Sequence, residues 1–464
     1  MAELNACGAL SLARGMRPGG ERPLFRSGGR PDNGYPAHTV REVEGMSMKT
    51  LQGMFETALR RELAFHKVGA RLIQDRLAQL GVSLNDEQLL EVESKLLNLR
   101  GDSITVSVDV EDISSIDSAL EDGIDLRDCE RDLEALLERF GASFERAIPA
   151  IVDEVSDLIL DQLKRDAPEM LSSRKRQRQS FEADLATVWR KPLDLLEMIV
   201  AIAYEAGDDF NREHRGQATH ANDHMFVALT RLHARACQIA SEVLVLLRSG
   251  YADGAHARWR ALHEVAVVAS FIESGGGNVA ERYIAHEAIE SYKGARQYQD
   301  HCEALGFERI PDQEFREMES GYERLKERFG DKYAAQYGWA APAFGGRSPH
   351  FDEIEKKVGL AHLRPFYKMA SHNVHAGPKG IFFRMGLCPA GEPILLAGPS
   401  DAGLADPAQG MAITLAQITS TLLNSKATVD SLVVSRVLMK LADEVGRESV
   451  EVQSALESRA AAQQ

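Results

Sequence analysis

The chain is poor in cysteine and aromatic residues and has no long apolar run. Its five cysteines stand singly in 464 residues without a C-x-x-C pair, so neither a disulfide framework nor a cysteine zinc site is indicated. The most apolar stretches, at 195–203 and 265–272, are much shorter than the roughly 18 to 20 residues of a membrane-spanning helix. The N-terminus has no apolar core of a signal peptide. We therefore expect a cytoplasmic protein without membrane insertion.

Common catalytic loops are also missing. The sequence contains no G-x-S-x-G elbow, no Walker phosphate loop and no G-x-G-x-x-G segment after a strand. Two histidine pairs have helical spacing, His220 with His224 and His372 with His375, but neither has a carboxylate at metalloprotease spacing. We expect no bound metal and no cofactor. A metal enzyme of the di-metal helical-bundle type is a third interpretation, which elemental analysis would test.

Charge is present in excess and is unevenly distributed. The 54 Lys and Arg against 70 Asp and Glu give a net charge of −16, which argues against a generic polyanion binder. Residues 102–140 contain 13 acids and 3 bases, and this acidic segment alone contributes −10. Residues 356–391 contain six Lys or Arg, three His and no acid. We interpret the acidic segment as a solvated or partner-docking surface, and the basic patch as a phosphate or RNA site or as a face for the acidic segment.

Composition predicts the domain organisation. The first 45 residues hold eight Gly and four Pro without apolar periodicity, which predicts a disordered leader. The rest is predicted to comprise four parts: an acidic, mostly helical N-terminal region (46–173), a basic linker (174–179), a helical bundle domain (180–445) and a tail (446–464).

Helical periodicity dominates the chain and predicts the fold class. Apolar residues at helical spacing predict helices at 49–80, from an Asn85 cap to 99, and at 144–165, 180–206, 219–249, 253–273, 278–304, 312–329, 364–376 and 406–444. Breaks at Ser249-Gly250 and at 275–277 predict that 219–249 and 253–273 form an antiparallel pair. Only 104–110, 381–384 and 393–396 look extended. We therefore predict a mainly α protein: a C-terminal multi-helix bundle, a separate and mostly helical N-terminal region, and at most a small β-hairpin.

One predicted bundle helix carries a charged stripe beside a strongly apolar face. The i, i+3 and i, i+4 positions from residue 253 bring together Asp253, His256, Arg260, His263 and Glu264. The segment 265–269 on the same helix is entirely apolar, which predicts a central position in the bundle. Charged groups on a central helix must be paired or must line a cavity.

A second helix presents the polar face of the basic patch. Pro365 favours a helix start, Gly377-Pro378 favours its end, and the polar face between them contains Arg364, Tyr367, Lys368, Ser371, His372 and His375. His375 is predicted to lie in the last turn, where the helix dipole stabilises an imidazolium. This position suits a proton donor.

The residues of both stripes resemble a bacterial family catalogued as domain of unknown function 5677, over about 220–440. The resemblance rests on GYADGAHARWRALHE at 250–264 and YKMASHNVHAG at 367–377, with an Arg-x-x-x-Glu step at Arg260 and Glu264 and a Ser-x-x-x-His step at Ser371 and His375. It implies a shared helical core and a shared site, without an established activity.

The chain is also distantly similar to HEPN-type helical bundles, many of which are metal-independent endoribonucleases of toxin and antiviral systems. Those proteins use an Arg and a His separated by four to six residues. Here Arg258 and His263 have four residues between them, with Trp259 in the place of a polar residue, whereas Arg364 and His372 have seven.

Two functional hypotheses follow. In the first, the chain is an RNA- or nucleotide-directed enzyme of a defence or stress system. His375 acts as general acid or base, Arg260 and Lys368 hold the phosphate, and Glu264 orients Arg260 or a histidine. Its further ligand-binding residues are Ser371, Tyr367, His372, His263 and Arg364. In the second, the chain is a non-catalytic interaction protein in which Arg260, Glu264, Ser371 and His375 form a buried packing network. Candidate partners are RNA or a nucleotide, a protein that binds the acidic segment 102–140, and a second copy in a homodimer.

Overall fold

A computed structural model describes residues 65–79, 83–97, 130–387 and 396–462. All regular structure in these ranges is helical, in thirteen α-helices and three short 3-10 helices, which confirms the predicted mainly α fold. The predicted leader at 1–45, the predicted strand at 104–110 and most of the acidic segment 102–140 lie outside these ranges. The chain divides into two compact units between Gln177 and Arg178. None of the described helices has the length and apolarity that crossing a bilayer requires.

The N-terminal unit contains helices α1 (Phe65–Gln79) and α2 (Asp86–Leu97) and most of α3 (Glu130–Val188). A small core of Ala70, Leu84 and Val92 joins α1 and α2. Helix α2 begins with a reciprocal cap: Asn85 Oδ1 accepts from the Gln88 backbone N–H at 2.8 Å, and Gln88 Oε1 accepts from the Asn85 N–H at 3.0 Å. The predicted Asn85 cap is thereby confirmed.

Helix α3 runs for 59 residues and includes both Pro149 and Pro168. The basic run 174–178, which we predicted as a linker, lies inside this helix with its side chains exposed. It is helical because Arg, Lys and Gln all have high helix propensity and no Gly or Pro interrupts them.

The C-terminal unit is a helical bundle followed and flanked by shorter helices. Its elements after α3 are α4 (Arg190–Ala221), α5 (His224–Arg248), α6 (Ala252–Ala285), α7 (Glu287–His301), α8 (Asp312–Phe329), α9 (Phe351–Lys357), α10 (Arg364–His372), α11 (Pro378–Phe382), α12 (Ala405–Asn424) and α13 (Val429–Ala462). Helices α5 and α6 form the predicted pair, α4 packs on α5, α12 packs on both, and α13 packs on α4 and α12. The continuous core that joins these helices includes Leu196, Ile199, Leu229, Val243, Leu262, Ile272, Met411 and Leu415.

The turn between α5 and α6 depends on Gly250. Its φ of +77° is in the left-handed region, which residues with a Cβ rarely adopt. A Cβ on Gly250 would also lie 2.7 Å from the Phe181 ring and 2.8 Å from the Ser400 carbonyl oxygen. Two independent constraints therefore require glycine at this turn.

The break predicted at 275–277 is confirmed, because Gly276, with φ +73° and ψ −167°, leaves helical geometry and divides α6 into two helical segments. Three other predictions are wrong. The helix predicted at 278–304 is divided at His286, between the second segment of α6 and α7. Residues 381–382 belong to α11, because Pro378 starts a helical turn, so 381–384 is not a hairpin arm. The predicted helix 406–444 is divided between α12 and α13, and α13 continues through the predicted tail to Ala462 with Ser449 buried.

Candidate functional site

The charged stripe of α6 meets α10 through Tyr367. Arg260 Nη2 donates a hydrogen bond to the Tyr367 hydroxyl at 3.0 Å, and that hydroxyl donates to Glu264 Oε1 at 2.6 Å. Arg260 Nε lies 3.2 Å from the same Glu264 oxygen, as an ion pair one helical turn apart. The three side chains thus close a triangle between two helices that are distant in sequence.

Local sequence explains how Tyr367 reaches this position. Pro365 lies in the first turn of α10, and Tyr367, at 8% exposure, follows on the face that packs against α6. Burial, together with the hydrogen bond to Glu264, raises the pKa of Tyr367 to about 12. The phenol therefore remains a protonated donor at neutral pH.

A second charged contact is almost completely buried. His263 on α6 and Glu355 on α9 are 0% and 1% exposed, and His263 Nε2 lies 2.8 Å from Glu355 Oε1. The other carboxylate oxygen of Glu355 accepts from Arg364 Nη1 at 3.0 Å. Glu355 therefore connects all three helices α6, α9 and α10.

The protonation of His263 follows from its surroundings. Burial lowers its pKa, although the hydrogen bond and the charge of Glu355 act in the opposite direction. A neutral imidazole has one proton, and because a carboxylate only accepts, that proton lies on Nε2. Nδ1 is then a buried acceptor without a hydrogen bond partner.

We call these six residues the polar cluster: Arg260, His263, Glu264, Glu355, Arg364 and Tyr367. Its two arginines are matched by two carboxylates, and His263 is neutral, so the formal charge of the cluster is zero. The guanidinium carbons of Arg260 and Arg364 lie 4.8 and 5.2 Å from the ring centroid of Tyr367, as cation–π contacts. The cluster is therefore held together by charge pairs and by one shared aromatic ring.

The remaining predicted residues of α10 are not part of this cluster. The Ser371 hydroxyl donates to the Tyr367 carbonyl of its own helix at 2.9 Å, and Lys368 is exposed. His372 ends α10, so His375 lies in a bend beyond the helix and not in its last turn. The helix stops early because Gly377, before Pro378, is extended and the chain must leave the helix to reach it. The side chain of His375 is exposed, and its backbone N–H donates to the Ser371 carbonyl at 3.1 Å.

Other stripe residues of α6 have structural partners. Asp253 Oδ1 accepts from the Met385 N–H at 3.1 Å, and the buried His256 stacks on Trp259 with ring centroids 5.4 Å apart. Arg258 donates to Glu242 on α5. Arg258 and His263, the pair at HEPN-like spacing, are therefore engaged by different partners.

Sequence reasoning missed Glu355, the central acceptor of the cluster. The acid-free patch begins at residue 356, so Glu355 and Asp352 lie just outside it. Both compensate its charge, since Asp352 pairs with Lys356 at 3.0 Å and Glu355 with Arg364 at 3.0 Å. Extending the count by one helical turn would have revealed these partners. In the described ranges no three His, Cys, Asp or Glu side chains are grouped to hold a metal ion.

In its described part the protein is therefore an all-helical bundle with a charge-paired cluster between three helices. Residues 226–392 match the model of a family described only as "Family of unknown function (DUF5677)". The predicted resemblance to that family is confirmed over this region, which includes all six residues of the polar cluster. The similarity to HEPN bundles stays a prediction. The comparisons with curated proteins and with solved structures found no match.

Proposed function

We propose that this chain is a non-catalytic interaction protein, and that the polar cluster is a packing network that fixes α9 and α10 on α6. One observation carries this proposal: each formal charge of the cluster has an opposite charge within the cluster. Arg260 pairs with Glu264, and Arg364 pairs with Glu355. A site that binds a phosphate would instead present positive charge left free for the substrate.

The geometry of α10 supports the same function. An RNA-directed enzyme would need His375 and Arg260 on a common phosphate. Arg260 is instead engaged by Glu264 and by the Tyr367 hydroxyl, and His375 is an exposed residue beyond the helix. Ser371, the fourth residue of the predicted network, bonds to its own helix. The network therefore differs in membership from the sequence prediction. It has His263, Glu355, Arg364 and Tyr367 in place of Ser371 and His375.

A buried polar network specifies how helices pack because misplacing any member leaves an unpaired group in a medium of low dielectric constant. Helices α9 and α10 have 7 and 9 residues and bury few apolar side chains of their own. Short helices gain little stability from the backbone alone. The cluster supplies the directional contacts that hold them in one register on α6.

As an interaction protein the chain would bind a protein partner through the acidic segment 102–140 or a second copy of itself in a homodimer. The expected setting is the cytoplasm. The docking role of the acidic segment follows from the charge distribution of the sequence.

Thermal unfolding of Arg260→Ala and Glu264→Ala tests the proposal. Each should lower the free energy of unfolding by about 1 to 2 kcal/mol, because the partner loses its charge-assisted contact at a partly exposed site. Lys368→Ala is the matched control, since Lys368 is exposed on α10, and its effect should stay within about 0.5 kcal/mol.

Two outcomes would contradict the proposal. A melting temperature that is unchanged or raised in Arg260→Ala would indicate that the site is kept for its function although it does not stabilise the fold. Incubation with total RNA in EDTA provides the second readout. Cleavage by the wild type that is lost in His375→Ala would overturn the non-catalytic assignment in favour of the ribonuclease.

A further inference from the structure

Helix α13 has one buried face and one exposed face. Leu438 and Val445 are completely buried where the helix packs on α12 and α4. On the other side of the helix, Val429, Leu432 and Val450 keep 77%, 55% and 38% of their surface exposed. Single exposed apolar residues are common on any protein, but several on one face of a helix indicate a contact surface.

Four exposed residues of α13 follow one another at intervals of seven positions: Val429, Arg436, Asp443 and Val450. Residues seven apart lie on the same side of an α-helix, with a drift of about 20° per interval. The four side chains therefore form one line along the exposed face, which we call the α13 line. Leu432 lies beside this line and widens its apolar end.

The two charged residues of the α13 line have no partner of their own. Within the described ranges the exposed side chains of Arg436 and Asp443 form no ion pair and no hydrogen bond. They cannot pair with each other, because ion pairs along a helix join residues three or four apart and seven residues span about 10.5 Å. Other charges of α13 are used within the chain, since Glu444 and Glu448 both pair with Lys191 on α4.

The α13 line is complementary to a second, antiparallel copy of itself. A two-fold axis midway between Arg436 and Asp443 places Arg436 of each copy opposite Asp443 of the other, and Val429 opposite Val450. A symmetric dimer requires a surface of this kind, on which residue i contacts residue j and j contacts i. Lys440 lies beside the axis and is exposed, so its long side chain can turn its charge into water.

We propose that two copies of this chain form a dimer through antiparallel contact of their α13 helices. An Arg436–Asp443 ion pair lies on each side of the two-fold axis, and a Val429–Val450 contact lies at each end. This inference rests on the proposed interaction function and assigns the surface of its homodimer. We expect a weak and reversible dimer, because exposed ion pairs contribute little and stable interfaces comprise about 20 to 30 residues a side.

Sedimentation equilibrium of the full chain, from micromolar to submillimolar concentration, tests the proposal. The wild type should show a monomer–dimer equilibrium. Arg436→Asp and Asp443→Arg should each weaken the dimer about tenfold or more, because one substitution turns both symmetric ion pairs into contacts of like charge. Arg459→Asp is the matched control. Arg459 is exposed on the same helix but lies nine residues beyond Val450, so its reversal should leave the dimer unchanged.

Mixing the two weakened variants tests the pairing itself. An equimolar mixture of Arg436→Asp and Asp443→Arg should recover the dimer, because each copy then presents the charge that the other lacks. A chain with both substitutions should recover it as well. A wild type that stays monomeric, reversals without effect on the dimer, or a mixture that does not recover it would overturn the proposal.

The two proposals fail separately. Arg436 and Asp443 are exposed, so their variants should melt like the wild type at concentrations where all are monomers. Loss of the dimer would therefore leave the packing role of the polar cluster in place, since the unfolding of Arg260→Ala measures that role. A normal dimer with an unchanged melting temperature in Arg260→Ala would contradict the packing network alone.

Discussion

Replacing Glu355 should destabilise the bundle more than replacing any exposed acid, because Glu355 is the one buried carboxylate of the polar cluster. It is 1% exposed and accepts from both His263 Nε2 and Arg364 Nη1. Glu355→Ala removes both acceptors and leaves the Nε2–H of a completely buried imidazole without a partner. The perturbation thus creates an unsatisfied donor, an unpaired arginine and a small cavity at once.

The magnitude follows from these three losses. An unsatisfied buried donor costs about 1 to 3 kcal/mol, and breaking a buried charge pair costs about 3 to 5 kcal/mol in all. Arg364 keeps 30% of its side-chain exposure, so water compensates part of its loss. We therefore expect Glu355→Ala to lower the free energy of unfolding by about 3 to 4 kcal/mol. Glu355→Gln keeps the volume and one acceptor for His263, and should cost about half as much.

Urea unfolding followed by circular dichroism measures these differences. Glu327→Ala is the control, since Glu327 is exposed on α8 and its loss should stay within about 0.5 kcal/mol. A cost below about 1 kcal/mol for Glu355→Ala would refute the packing role of the cluster. Equal costs for the alanine and glutamine variants would show that the acceptor of His263 does not matter.

Three further predictions concern buried histidines, glycines and the tyrosine bridge. Burial lowers the pKa of both His233 and His256 to about 4, so as the pH falls below 6.5 these imidazoles take up protons in the unfolded chain before they do so in the folded one. The free energy of unfolding should therefore decrease by about 2 kcal/mol per histidine between pH 7 and pH 5. A urea midpoint that does not change over this pH range would contradict the prediction. Gly250 and Gly276 both have a positive φ, but only Gly250 is crowded by neighbouring atoms. Gly276→Ala should therefore lower the free energy of unfolding by about 1 to 2 kcal/mol, and Gly250→Ala should lower it clearly more. Equal losses in the two variants would exclude the steric contribution at Gly250. Tyr367→Phe should cost about 1 kcal/mol in urea unfolding through the loss of its two hydrogen bonds, and no loss would remove Tyr367 from the network.

Much of the fold was predictable because its signals are local. Helix α8 has the predicted bounds 312–329, the Asn85 cap lies where its side chain predicts it, and Gly250 ends α5 as its sequence indicates. The break at 275–277 is also where the glycines predict it, because Gly276 leaves helical geometry with a positive φ. The errors were local as well: the helix predicted at 406–444 is interrupted between Asn424 and Val429.

The candidate site was only half predictable. The stripe of Arg260, His263 and Glu264 could be assigned because an α-helix places residues three and four apart on one face. Its partners could not. Glu355 lies 92 residues from His263 and Tyr367 lies 107 residues from Arg260, and no spacing rule connects them.

By itself the sequence determined the helical class, the charged stripes and the breaks between helices, because periodicity, caps and glycine turns act within a few residues. Only the tertiary structure decided that Glu355 pairs with Arg364, that His375 lies beyond its helix, and that Gly207 leaves room for the buried ring of His233. These outcomes depend on the rotation and crossing of helices that are distant in sequence. Packing of whole helix faces determines that geometry, and no single segment contains it.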